Sequence, residues 1–379
     1  LEGLEPRHAM SIAGLGVAGD SWSDEYAAEV YNYAKNWPML LQTERSIDLG
    51  PNVNFPPPNP SGDVEFRRTG TAFNYAFTGA KALDLLIQAQ DINIVDQFSL
   101  GEVSHAVIMI SNSDFAPGGE LFTNIADGTW TQPEIDNQIT FLGINIDAAV
   151  ATLSNEPVKV LVATIPDPTM TPQGQSLFTA AGRTKVRDAV NAINTKIKES
   201  AAKYHQPVID LAGLSTAILG TAASPAASRM IGGNVYTVAG GTSGANLFVQ
   251  GGVLPHTVYQ ALVANLVIEG LNSAYNEGIA KLTEQQIVTL AGQTYGGPAP
   301  SPITYSNFII QPPVTVFLDF GQPSTLPDDF VNRMKEVAQA LNIAPLGEAP
   351  VGQTSELTTM KANIQAKLQN AFAGTNINF

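Results

Sequence analysis

Four short apolar runs carrying little charge, separated by longer stretches with helical spacing, constrain this chain more than any other feature. The runs are Ser11 to Ala18, Ala106 to Ser111, Val158 to Ile165 and Pro207 to Leu211. Runs of this length and polarity read as buried strands. Between them, residues 24–41 place Tyr26, Ala27, Val30, Tyr31, Ala34, Trp37 and Leu41 at helical spacing, with Ser23 or Asp24 as the N-cap. Residues 77–89, 134–153, 180–204 and 258–275 read as further helices. Strands that alternate with amphipathic helices imply a parallel sheet covered on both faces, a three-layer α/β/α architecture of flavodoxin-like type. In such sheets the reactive groups lie on loops beyond the carboxyl ends of the strands. The Pro-rich residues 50–62 read as a surface loop.

The alternation ends near Tyr275, while the chain runs to 379 residues. Gly296 to Pro302 (GGPAPSP) reads as a linker. One strand (Val314 to Phe320) and two helices (328–341 and 356–372) follow, too little for an independent core. The expected organisation is an N-terminal segment 1–10, an α/β domain over 11–295, and a short C-terminal α+β extension or truncated second domain over 303–379. A net charge of -15, from 34 acidic and 19 basic residues, argues against nucleic-acid or anionic-membrane partners, which need a basic footprint. There is no cysteine and no HExxH, and the four histidines are far apart, so neither a metal nor a cofactor is expected. The glycines near Gly232 and Gly240 do not open a helix in the manner of a phosphate-binding loop. No apolar run is long enough for a transmembrane helix.

One turn carries a candidate nucleophile. Gly19-Asp20-Ser21 sits between the first strand and the first expected helix. Such a turn would expose the Ser21 hydroxyl at the sheet's carboxyl edge, and the helix after it would offer free N–H groups to an oxyanion. Three further blocks follow in order: Asn74-Tyr75-Ala76-Phe77-Thr78-Gly79-Ala80, then Ser111-Asn112-Ser113-Asp114-Phe115-Ala116, then Gly251-Gly252-Val253-Leu254-Pro255-His256-Thr257. Together they resemble the four blocks of the SGNH (GDSL-like) hydrolases and span residues 12–275. The resemblance implies an ester hydrolase with Ser21 as nucleophile and His256 as its base. The oxyanion would be met by the N–H groups of Ser21 and Gly79 and by Asn112. Asp20, Ser113 and Asp114 would play supporting roles.

The match departs from the family at two chemical positions. Aligning Asp114 places Ser113 where the family has its oxyanion asparagine, so either Asn112, one position early, or the Ser113 hydroxyl would fill that role. In the last block the histidine follows the proline, and no Asp or Glu occurs between Gly232 and His256. The family's orienting acid therefore falls on Val253, or on Gly251 in the unshifted frame. His256 is selected by exclusion: His8 lies in the N-terminal segment, and His105 and His205 precede strands. Two readings stand side by side. One is a Ser21–His256 hydrolase acting on a small-molecule, carbohydrate or lipid ester. The other is a catalytically degenerate domain with a binding or structural role on a bacterial surface. The opening LEGLEPRHAMS reads as the middle of something longer, and its LEPRHAM stretch resembles a short signature of exported bacterial surface proteins. Secretion or surface attachment, as part of a larger protein, is therefore expected.

Overall fold

The computed structural model describes residues 12–26, 31–54, 69–300, 302–312, 314–315 and 377–378. The chain divides into two units, Leu1–Gln311 and Pro312–Phe379. In chain order the first unit contains β1 (Leu15–Gly19), α1 (Trp37–Arg45), β2 (Asn52–Asn54), β3 (Thr69–Thr71), α2 (Asp84–Ile87), α3 (Gln90–Ser99), β4 (His105–Met109) and α4 (Glu120–Asp127). Next come α5 (Gln132–Ser154), β5 (Lys159–Ala163), α6 (Pro172–Ser176), α7 (Ala180–Lys203), β6 (Val208–Ile209) and α8 (Leu211–Leu219). Five short strands follow: β7 (Gly220–Thr221), β8 (Ser224–Pro225), β9 (Ser228–Ile231), β10 (Asn234–Gly240) and β11 (Asn246–Phe248). The unit closes with α9 (Thr257–Tyr275), α10 (Glu284–Leu290) and β12 (Ile309–Ile310).

The central sheet has the order β1-β4-β5-β6-β12, with the first four strands parallel and β12 antiparallel to β6. Because side chains alternate across a strand, each strand feeds two cores. Leu15, Val17, Val107, Met109, Leu161, Ala163 and Ile209 join one core with α1, α8 and α9. Ala18, Ala106, Ile108, Val160, Val162 and Val208 join the other with α3, α4, α5 and α7. This is the three-layer α/β/α arrangement that the alternation of runs implies. Strands buried on both faces need no polar alternation, which is why they appear in the sequence as short uniform apolar runs.

Several expectations are corrected. Of the helix expected over 24–41, Asp24 lies in a bend, residues 27–30 lie outside the described residues, and α1 begins at Trp37. Asn36 is its N-cap and Pro38 occupies its first turn, where proline's missing N–H does no harm. The expected caps are engaged elsewhere, since Ser23 Oγ accepts the Trp37 indole N–H at 3.1 Å and Asp24 accepts from Thr78. Of the expected helix 77–89 only α2, Asp84–Ile87, is α-helical; Ala89 turns left-handed at φ 54° and α3 starts after it. Part of the loop expected at 50–62 is strand β2, paired with β3; residues 55–68 lie outside the described residues. The small sheet β9-β10-β11 is an element that the sequence reading lacked. In the second unit Val314–Thr315 pairs in parallel with Ile377–Asn378, and the expected helices 328–341 and 356–372 lie outside the described residues.

At the sheet's amino edge His105 is buried, with Nδ1 bonded to Ser104 Oγ at 2.8 Å and Nε2 to Glu277 Oε1 at 2.9 Å. Lys159 Nζ reaches the same oxygen at 2.6 Å, and the Glu277 side chain is 1% exposed. Removing Glu277 leaves Nε2 of the buried His105 ring without its hydrogen-bond partner, while Lys159 is 42% exposed and can turn to solvent. Glu277→Ala is expected to lower the unfolding free energy by about 2 kcal/mol in urea titration. A loss below about 1 kcal/mol would show that this cluster does not hold the end of α9 to the sheet.

Candidate active site

The turn that carries Ser21 is fixed from three sides. Gly19 lies so close to β4 that an added Cβ would come within 2.5 Å of the Met109 carbonyl oxygen. The buried Gln90 side chain accepts the Gly19 N–H at 2.7 Å and donates to the Gly19 carbonyl at 3.3 Å. The Asp20 carbonyl then accepts the N–H groups of Ser23 and Asp24, at 2.9 and 3.0 Å, closing a single tight turn. Residues 21–24 are taken up by this turn, and residues 27–30 of the helix expected after Ser21 lie outside the described residues. Ser21 itself is half-buried.

Buried side chains tie this turn to the other two loops. Asp20, 0% exposed, accepts the N–H groups of Asn112 at 2.7 Å, Ser113 at 3.3 Å and Trp22 at 3.1 Å. It also accepts the Asn112 side-chain amide at 3.3 Å. Asp24 Oδ2 accepts the Thr78 N–H at 2.7 Å and its hydroxyl at 2.8 Å, next to Gly79. Asn74 donates to the Ser23 carbonyl at 2.9 Å. Asp114 accepts the Ala82 N–H at 2.9 Å, which joins the third loop to the second. The residues around Ser21, Gly79 and Asn112 thus form one hydrogen-bonded assembly at the carboxyl edge of β1 and β4. Gly79 adopts φ +87°, a conformation that L side chains rarely take. Among the described residues, the N–H groups of Ser21 and Gly79 donate to no protein acceptor.

The start of α9 packs against the same turn. Gln260 donates to the Trp22 carbonyl at 3.2 Å and to the Tyr26 hydroxyl at 2.8 Å, and that hydroxyl donates to the Pro255 carbonyl at 2.8 Å. Trp22 and Tyr259 meet edge to face at 5.8 Å. His256 is the N-cap of α9: its Nδ1 accepts the Thr257 N–H at 2.8 Å, so the ring proton sits on Nε2. That nitrogen is buried without a hydrogen-bond partner, and the ring lies 5.6 Å from that of Tyr33. Burial holds the His256 pKa below the usual value, opposed by the nearby Thr242 backbone. The structure brings His256's helix onto the Ser21 turn, but no hydrogen bond joins the two side chains. One N–H of the Asn112 side-chain amide leans on Asp20 at 3.3 Å; the amide nitrogen carries a second.

Sequence reasoning missed the residues that position these loops: Gln90, Asn74, Asp24, Tyr26 and Gln260. Asn74 opened one of the quoted blocks and Asp24 stood beside another, without a sign of what either would bind, and a lone Gln in a helix carries no signal of its partner. Trp22 and Asn112 line a narrow cleft together with Phe115, Ile165, Pro168 and Val253. Val253 is one of the two residues, with Gly251, on which the resemblance would set the orienting acid. Among the described residues no cluster of three or more potential metal ligands occurs, and no helix is long and apolar enough to cross a membrane.

The sheet order and connections define a three-layer α/β/α protein with a serine turn at the carboxyl edge of its first strand. No protein-family model matches the chain, and no curated protein matches it in sequence. Among solved structures it is similar to a lipase/acylhydrolase from Enterococcus faecalis, at 13% identity and TM-score 0.38, covering 71% of this chain and 98% of that one. It is also similar to an extracellular lipase from Streptomyces rimosus, at 15% identity and TM-score 0.37, covering 57% and 87%. A third is phospholipase A1 from Streptomyces albidoflavus NA297, at 16% identity and TM-score 0.34, covering 54% and 81%.

Two carboxyls of the assembly titrate unusually high. Burial raises Asp20 to about 7 and Asp114 to about 6, against hydrogen bonds that lower both. A carboxyl whose pKa rises on folding stabilises the fold below its unfolded value, near 3.8, and loses that contribution as pH climbs through the folded value. Between pH 4 and 7 Asp20 should therefore remove on the order of a few kcal/mol of stability. Urea titrations at pH 5 and pH 8 should show a smaller loss across that window in Asp20→Asn than in wild type. Equal losses would mean that Asp20 is ionised throughout.

Proposed function

We propose that the protein is a serine-dependent hydrolase of carboxylic esters, of the SGNH (GDSL-like) type, working through an acyl-serine intermediate. The observation that carries this reading is the assembly of three loops around Ser21, with two uncommitted N–H groups, at Ser21 and Gly79, in the roles an oxyanion requires. In the proposed reaction Ser21 Oγ attacks the ester carbonyl carbon and its proton passes to His256. The tetrahedral oxyanion is met by the N–H groups of Ser21 and Gly79. As the carbon–alkoxy bond breaks, His256 returns the proton to the leaving alcohol. Water then attacks the acyl-serine by the same route and releases the acid.

His256 must turn away from the Thr257 N–H to face Ser21. Giving up that cap costs about 1 kcal/mol, a small term beside what a base contributes to acyl transfer. Its burial favours the neutral imidazole, the form that can accept a proton. Asn112 can join the oxyanion donors through the amide N–H that does not lean on Asp20; the Ser113 hydroxyl is the alternative donor.

A second reading, a degenerate domain that binds and does not turn over, draws on one specific observation. His256 is committed to capping α9, and an apolar Val253 stands where an orienting acid is expected.

Hydrolysis of p-nitrophenyl acetate separates the two readings. Ser21→Ala and His256→Ala are each expected to lower kcat on the order of 10⁴-fold. In the wild type kcat/KM should rise with pH to a plateau, with a midpoint below 6.5 set by the depressed His256 value. Equal rates in wild type and Ser21→Ala would leave the binding reading standing alone.

A further inference from the structure

We propose that this site takes esters of short acyl groups, acetyl above all, and that Ile165 sets the limit. The inference rests on Ser21 acting as the nucleophile. A cleft walled by Trp22, the residue after Ser21, and by Asn112, Phe115, Ile165, Pro168 and Val253 holds about 20 Å³. That is room for about one water molecule, or the methyl group of an acetyl. On the other side of Ile165 lies a cavity of about 180 Å³, walled by Met170, Val190, Ala212 and Leu219. Ile165 is the one residue that lines both spaces.

The partition is a single thickness of chain, residues 165–170, and it is braced. Pro166 and Pro168 face the cleft, while Asp167 and Met170 face the cavity. Asn194 clamps Ile165 by both backbone groups, accepting its N–H at 2.8 Å and donating to its carbonyl at 2.9 Å. Arg187 holds Asp167 at 2.7 Å and the Thr169 hydroxyl at 3.1 Å. Two prolines remove backbone freedom from the same stretch. A wall tied at both ends does not swing aside for a longer chain, so each methylene beyond acetyl must displace packed side chains. Ile165 is 1% exposed and belongs to the core shared with Val190. Shortening it removes the barrier and joins the cleft to an apolar space large enough for a medium chain.

The test is the chain-length profile of p-nitrophenyl esters, acetate through octanoate, on wild type, Ile165→Ala and Ser21→Ala. Wild type is expected to prefer acetate over hexanoate about 100-fold in kcat/KM, and Ile165→Ala to narrow the ratio to about tenfold or less. Ser21→Ala should be inactive on every ester. A Ser21-dependent but flat wild-type profile, or an unchanged ratio in folded Ile165→Ala, overturns the partition and leaves the nucleophile intact. Acetate hydrolysis that is equal in wild type and Ser21→Ala overturns the nucleophile, and this inference with it. Should Ile165→Ala not fold, Ile165→Val reads the same shift on a smaller scale. A readout without turnover is the melting temperature with added hexanoate, which should rise in the Ile165 variant and not in wild type. An equal rise in both also overturns the proposal.

Discussion

The Asp20 carboxylate is the contact on which the rest of the site depends. A parallel sheet brings the ends of β1 and β4 to one edge, but nothing in its ladder holds the loops beyond those ends. Side chains must do that. Asp20 stands at the first position after β1, and two of its donors are the N–H groups of Asn112 and Ser113, three and four residues past β4. Without it those half-buried N–H groups would lose their acceptor next to the serine turn. Asp24 and Asp114 repeat the device, each accepting backbone N–H groups from the segment around Gly79. Three short acids therefore do for the loops what the ladder does for the strands.

Such an arrangement works against its own charge. Burial raises Asp20 and Asp114 toward neutrality even though hydrogen bonds favour their ionised forms. The backbone records the same tension: Ser111, between β4 and Asn112, is held left-handed at φ 83°, a conformation that usually needs glycine. Strain of that kind persists only where neighbouring contacts outweigh it, and here those contacts converge on the serine turn.

The sheet was legible because its strands are buried on both faces, so apolar runs alone locate them; Leu15–Gly19, His105–Met109 and Lys159–Ala163 all fall within two residues of the runs. The long helices α5, α7 and α9 were legible by periodicity. The segment after Ser21 was not, because its aromatic residues mimic helical spacing while serving other ends: Tyr26 bonds Pro255 and Gln260, and Trp37 begins a helix of its own. The β9–β10 hairpin carried a signal that was read for the wrong purpose. Gly232 and Gly233, at φ 54° and 76°, form the two-residue turn that reverses the chain, and Ile231 pairs with Asn234 across it. At the site, the residue types of the three loops could be read from sequence, but their partners could not. Hydrogen bonds such as Gln90 to Gly19 join residues 71 positions apart and leave no local pattern.

Val253 links the chemistry to the shape of the cleft. Where the sequence resemblance would set an acid to orient the imidazole, one of its two frames sets this apolar side chain, which helps to close the cleft beside Trp22 and Phe115. In that frame the imidazole is left to be oriented by its helix alone, which favours capping over proton transfer between turnovers. The same side chain narrows a cleft whose other walls, Trp22 and Asn112, belong to the loops that flank Ser21, so the residue in the acid's place shapes the space beside the nucleophile's turn.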